Sequence, residues 1–256
     1  MLQEITFFEK IDLEKEAIQF LKDNETGDGY CLAFSGGKDS IVIKRLADMA
    51  GVKYHAYYNV TTIDPPELIS FIRKEYSDVA WNHPEKPLLV KMMEKGFPPL
   101  RQQRWCCELY KENGGTGRII TGVRREESAK RANRKAVEFC FRNKSKIYIN
   151  PIINWTSRDV WEFIEKYNLT YCSLYNQGWE RIGCLFCPAA SRKNRLREVE
   201  RYPAYVKLFI IYFQKLVDKR KAENKPFQKW ETGEQLFQWW IDGKRKYQPD
   251  QQVLFE

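Results

Sequence analysis

Histidine is nearly missing. The 256-residue chain holds two, His55 and His83, and neither lies in a ligand or triad context. That scarcity argues against a histidine-based zinc site and a Ser-His-Asp hydrolase. Both histidines are expected to be structural or surface residues. Long hydrophobic runs are missing too. No apolar stretch approaches the roughly 20 residues that cross a bilayer, so no membrane partner is expected. The opening MLQEITFFEKIDLEKEA is acidic and interrupted, unlike a secretion signal, and a cytoplasmic location follows as the expectation. The sequence holds no repeats and no low-complexity linker.

What is there suits a folded enzyme. Hydrophobic residues make up 43% of the chain and charged residues 30%, enough for a core and for solubility. The length fits one large domain, or one domain with a small appendage. A formal net charge of +9 suits an anionic partner: nucleotide, nucleic acid or acidic protein. Seven cysteines, Cys31, Cys106, Cys107, Cys140, Cys172, Cys184 and Cys187, form an odd set in a long chain. In a reducing compartment that reads as metal or sulfur chemistry rather than a disulfide framework.

Periodicity places strands at 30–34, 53–60, 118–121 and 147–149. Helical patterns cover 39–50, 65–76 and 87–95, then a helix reaches Tyr167 from the capping-box spacing of Thr156–Asp159. Residues 127–141 read as a helix start followed by an irregular basic loop. Three charged helices follow near 192–201, 205–224 and 234–242. Strands alternating with helices predict an α/β fold, a mainly parallel twisted sheet with helices on both faces. The expected division is a domain over residues 1–190 and a helical C-terminal extension over 191–256 packed on it.

Ser35-Gly36-Gly37-Lys38-Asp39-Ser40 lies between the first strong strand and its helix. Glycines let the backbone turn and approach a ligand, and a helix start offers free N–H donors and partial positive charge. Lys38 adds a full charge, Ser35 and Ser40 add hydroxyls, and Asp39 could orient the loop or help hold Mg²⁺, which prefers oxygen ligands. The Walker pattern G-x-x-x-x-G-K-[ST] is not met, so Walker-type phosphoryl transfer is disfavoured.

The hexapeptide SGGKDS resembles the PP-loop of the N-type ATP pyrophosphatases, in particular their phosphoadenosine phosphosulfate (PAPS) reductase branch. The resemblance runs over about residues 28–190 and implies an adenine nucleotide alpha hydrolase-like fold. It also implies chemistry between the α- and β-phosphates of ATP or on an adenylylated compound. Asn59–Leu68 (NVTTIDPPEL) stands where the family has a loop facing adenine and ribose, which makes Thr61 and Asp64 candidate nucleotide contacts. It departs from the usual reductase form, closer to D-T-G-x-E-F-P-E-T. Gly122–Ser128 (GVRREES) resembles the family's G-x-R-x-x-[EQ]-S segment. By that likeness Gly122, Arg124, Arg125 and Ser128 join the nucleotide site, with Arg124 meeting the anionic end as guanidinium groups do. A solvated basic surface is the plainer reading of Arg124 and Arg125.

Cys106-Cys107 and Cys184-x-x-Cys187 stand 77 positions apart. Four thiolates suit a [4Fe–4S] cluster or zinc, and a lone C-x-x-C could be a redox dithiol. The same layout is similar to that of iron–sulfur adenosine phosphosulfate (APS) reductases and of the DNA-phosphorothioation sulfurtransferase pyrophosphatases (Dnd/Ssp type). Cys31, in a strand, and Cys172 are expected to be packed thiols. Assimilatory reductases carry a further cysteine near their C-terminus, and no cysteine follows Cys187 here.

The favoured expectation is an enzyme that uses Mg·ATP to adenylate an acceptor, with DNA backbone phosphate as that acceptor. A cysteine desulfurase would then supply the sulfur. Lys38, Asp39 and Arg124 are the expected catalytic residues. A PAPS or APS reductase served by a donor such as thioredoxin is the first alternative. A non-catalytic nucleotide- or nucleic-acid-binding module is the second, because residues 118–146 carry ten Lys or Arg, among them Arg131, Arg134, Lys135, Arg142 and Lys144. Homo-oligomerisation is left open.

Overall fold

Local signals set most of the elements in the computed structural model, which describes residues 3–5, 10–141, 143, 145–227 and 229–243. Strands β1 (Gln3–Ile5) and β2 (Lys10–Asp12) form a small antiparallel pair. Asp12 then caps helix α1 (Leu13–Asp23), its carboxylate accepting from the amide of Lys15. There follow β3 (Tyr30–Ala33), α2 (Lys38–Ala50), β4 (Tyr54–Asn59), α3 (Pro66–Glu75) and β5 (Ala80–Asn82). Next come α4 (Leu88–Lys95), α5 (Trp105–Tyr110) and β6 (Gly117–Ile120). After them run α6 (Ala129–Ala132), β7 (Val137–Phe139), β8 (Lys146–Ile149), α7 (Ser157–Lys166), α8 (Arg192–Arg201), α9 (Pro203–Ala222) and α10 (Gly233–Asp242).

The chain divides into two units, each built from two stretches of sequence: residues 1–84 with 109–183, and residues 85–108 with 184–256. The first holds a six-stranded sheet in the order β5-β4-β3-β6-β8-β7. All its pairs are parallel except β7 with β8. The expected α/β architecture with a mainly parallel sheet is what forms. Winding runs outward from β3 through β4 to β5, then returns to the other side for β6 and β8. The reversal lies between β3 and β6, and open α/β sheets bind ligands at the carboxyl ends of such strands. Leu32, Ile41, Ile43, Leu46, Ile72, Ile120, Ile149 and Phe163 pack in one core, all of them fully or almost fully buried.

The second unit is helical. Phe186, Phe209, Phe213, Phe237 and Trp240 form its aromatic centre, with ring centroids 5.1–6.3 Å apart. Trp240 Nε1 donates to the carbonyl of Pro99 at 2.7 Å, and Lys219 Nζ to that of Met93 at 2.8 Å. Residues 85–108, expected inside the first domain, therefore group with the C-terminal helices. The reason is chemical: α4 buries Leu88, Leu89 and Met92 and packs on α9.

Other differences are local. Residues 127–141 begin with the expected helix start, α6, but then form the strand β7 where an irregular loop was expected. Helices α1 and α5 and strands β1, β2 and β5 are additions. Cys31 lies half-buried on β3 rather than in the core, while Cys172 is buried as expected. Both histidines are exposed. Arg142, Lys144 and the tail beyond Gly243 lie outside the described residues.

Candidate functional site

The bend after β3 is built by Gly36. Its φ is +70°, and a Cβ there would come within 2.7 Å of Leu68 and 2.8 Å of Ile72. Only glycine fits both the left-handed backbone and the space. Two serines brace the bend. Ser40 Oγ donates to the carbonyl of Gly37 at 2.8 Å, and Ser35 Oγ donates to Ser40 Oγ at 3.2 Å. Ser40 is 4% exposed, so its hydroxyl closes the loop instead of facing an anion as the sequence suggested. Ser35 stays exposed. Gly37 then caps α2, and Lys38 and Asp39 form that helix's first turn, where free amides and the helix dipole favour negative charge.

Charge at the bend is tightly paired. Asp39 Oδ1 accepts from Arg124 Nε at 2.7 Å, and Asp39 Oδ2 from Lys38 Nζ at 3.2 Å. Arg124 comes from the loop after β6, on the other side of the winding reversal. It is 3% exposed, and its Nη1 donates to Glu126 Oε2 at 2.7 Å and to the carbonyl of Trp155 at 3.2 Å. Burial works against the charge on Arg124, but Asp39, Glu126 and Glu127 more than offset it and hold the guanidinium above its ordinary range. Gly122 makes the approach of the two loops feasible, since a Cβ there would meet Asp39 at 3.0 Å. Arg124 is thus a buried strut that fixes Asp39.

The remaining expected contacts divide. Thr61 and Asp64 lie together after β4, with the amide of Thr61 donating to Asp64 Oδ2 at 2.9 Å. Both are buried, and Thr61 Oγ1 has no hydrogen-bond partner among the described residues. Asp64 shapes this loop, in which Thr62 takes a φ of 66°. Arg125 is exposed and donates to the carbonyl of Arg134 and to Asn154 Oδ1. Ser128 caps α6 by accepting from the amide of Arg131 at 3.3 Å. Arg125 thus ties its loop to two other stretches, and Ser128 acts as a local cap.

Tyr175 is a site residue that the sequence did not single out. The amide of Lys38 donates to its hydroxyl at 2.9 Å, so a phenol oxygen stands at the donor where an anion would bind. Edges of Trp161 and Tyr171 hold the ring. Burial pushes its hydroxyl up, against the pull of the Lys38 amide, so it stays a protonated donor. With 137 residues between the partners, no local pattern marks the contact. Trp155 was missed for the same reason, whereas Glu126 lies two positions from Arg124, inside the quoted segment, and was passed over there.

The four cysteines belong to the helical unit. Cys106 and Cys107 open α5. In the C-x-x-C turn Phe186 takes a φ of +56°, and its amide donates to the buried Glu198 at 2.5 Å. The thiol of Cys106 is raised far above its ordinary range by its hydrogen bond with Cys107, by burial, and by the charges of Cys107, Cys184 and Cys187. The other three thiols are thus near enough for their charges to act on Cys106, and four thiolates are the donor type a thiophilic metal centre takes. Among the described residues, however, no three His, Cys, Asp or Glu side chains converge closely enough to hold a metal ion.

Residues 29–190 match the phosphoadenosine phosphosulfate reductase domain. The chain belongs to that family. An uncharacterized protein of Methanocaldococcus jannaschii is 31% identical over 211 residues, which cover 75% of this chain and 50% of that protein. A second from the same organism is 31% identical over 196 residues, 69% of this chain and 40% of that protein. The chain thus spans half or less of the length of these two relatives. An adenosine 5'-phosphosulfate reductase of Anoxybacillus flavithermus is 26% identical over 220 residues, 71% of this chain and 88% of that enzyme. The phosphate complex of the PAPS reductase from Candida auris shares the fold. Its TM-score is 0.51 at 16% identity, over 67% of this chain and 87% of that one. No helix among the described residues is long and apolar enough to cross a membrane.

Proposed function

We propose that this chain is an ATP pyrophosphatase that adenylates an acceptor oxygen for sulfur insertion, with DNA backbone phosphate as the acceptor. The carrying observation is the first turn of α2, where Lys38 and its amide stand beside an Asp39 fixed by Arg124. An acceptor oxygen attacks the α-phosphorus, the α–β anhydride bond breaks, and its electrons leave on pyrophosphate. Lys38 stabilises the charge that grows on that leaving group, and its amide joins once the Tyr175 hydroxyl gives way. Arg124 acts through Asp39, and Mg²⁺, held with Asp39, would neutralise phosphate oxygens when bound. A sulfur donor, for which a cysteine desulfurase is the expected partner, then displaces AMP. The four cysteines are read as ligands of a [4Fe–4S] cluster, with zinc as the alternative, and no step is assigned to it.

Incubation with α-labelled ATP tests the reading. Labelled AMP or adenylylated acceptor with unlabelled pyrophosphate is the expected result, lost in Lys38→Ala. ADP and phosphate would refute it, and sulfite released from PAPS or APS would replace it with reduction.

A further inference from the structure

Two phenylalanines are spent on solvent. Phe139 is 74% exposed and Phe141 is 99% exposed, although burying such side chains is favourable. They lie at the end of β7 and just past it, on an edge of the six-stranded sheet. The β7–β8 ladder continues through Cys140, whose amide donates to the carbonyl of Lys146 at 2.9 Å. Phe139 closes β7, and Phe141 follows two positions on, in a bend.

The surroundings are basic. Residues 129–146 contain seven Lys or Arg and one acid, Glu138. Arg131 and Arg134 pair with Glu127 and Glu138, and Lys146 is buried against the carbonyls of Glu112 and Gly114. Lys130, on α6, and Lys135, two residues before β7, remain exposed. A second copy of this chain would bring the same positive charge to the contact. A duplex keeps the faces of its bases stacked inside. A single strand offers both free base faces for the rings and phosphates for the lysines.

We propose that the β7 edge, through Phe139, Phe141, Lys130 and Lys135, binds single-stranded DNA and delivers the acceptor strand. This rests on the DNA-acceptor reading above. Two bases stack on the two rings, and the lysines hold the flanking phosphates without reading sequence.

The test is fluorescence anisotropy with a labelled single strand of about 15 nucleotides, its duplex, and RNA of the same sequence. Salt is varied between about 50 and 200 mM. Wild-type protein should bind the single strand more tightly than the duplex, and RNA no more tightly than DNA. The double variant F139A/F141A should lose about 30-fold or more, at ~1 kcal/mol per stacked base. F139Y/F141Y should keep binding, and K130E/K135E should flatten the salt dependence. Unchanged single-strand affinity in F139A/F141A would overturn the proposal, as would tighter binding to RNA. So would a shift from dimer to monomer in that variant with DNA affinity intact. Every variant is also assayed for AMP and pyrophosphate with single-stranded DNA at saturating concentration. Wild-type turnover beside lost binding is the expected result. Unaltered DNA affinity beside normal turnover sinks the surface alone, whereas absent turnover in the wild type sinks the pyrophosphatase reading alone.

Discussion

At the scale of single residues, the site depends on one guanidinium. Arg124 reaches Asp39, Glu126 and the Trp155 carbonyl at once. An ammonium group is a point charge and cannot span that fork. Arg124→Lys should therefore lower the rate of pyrophosphate release about 100-fold, with a smaller effect on folding. Arg124→Ala should also destabilise the chain, by roughly 3–5 kcal/mol, because Asp39 loses its buried partner. Urea unfolding beside the pyrophosphate assay separates the two effects. Gly36→Ala places a Cβ against Leu68 and Ile72 at a left-handed φ. It should cost roughly 2–5 kcal/mol in the same unfolding measurement. The hexapeptide could be read from sequence because glycine, lysine and serine at a strand–helix junction carry their chemistry locally. Tyr175 could not, since its partner is brought by the fold. The roles of Ser40 and Arg124 also changed, because a sequence does not reveal which polar groups spend their hydrogen bonds on the protein itself.

Among the elements, the second half of α8 holds a pH-sensitive group. Glu198 is 7% exposed, and burial raises its carboxyl to about 7, against the Phe186 amide and Arg195. A folded pKa above the unfolded one means that the native state holds the proton more tightly. Stability is then greatest below the unfolded value and falls as pH rises towards about 7. The loss amounts to about 3 kcal/mol once pH passes that range. Glu198→Gln keeps an acceptor for the Phe186 amide and should flatten this dependence, with thermal unfolding at pH 5 and pH 8 as the check. Equal pH slopes in both proteins would show that Glu198 does not set it. Elements with strong periodicity or capping, such as α2, α7 and α8, were legible. The three-residue strands β5 and β7 were not, because so few residues carry no period and their pairing comes from the sheet.

For the molecule as a whole, the boundary near residue 190 was the least legible feature. Composition does not shift where the chain leaves the sheet unit at Glu85 and returns at Leu109. A chain cut after residue 190 would retain Leu88, Leu89 and Met92 of α4 but lose the helices they pack on. That truncated protein should aggregate or bind the dye ANS, while the full chain stays monodisperse. A well-behaved 1–190 fragment with a sharp thermal transition would contradict the two-stretch division.

The helical unit's divided sequence has a consequence in time. A ribosome adds about 5–20 residues per second, so the adjacent pair Cys106-Cys107 leaves the exit tunnel roughly 4–15 s before Cys184. For that interval two neighbouring sulfhydryls wait without their partners, open to oxidants and to any metal chaperone that meets the nascent chain. The order of synthesis makes the first pair the vulnerable one, and the last pair the one that ends the exposure.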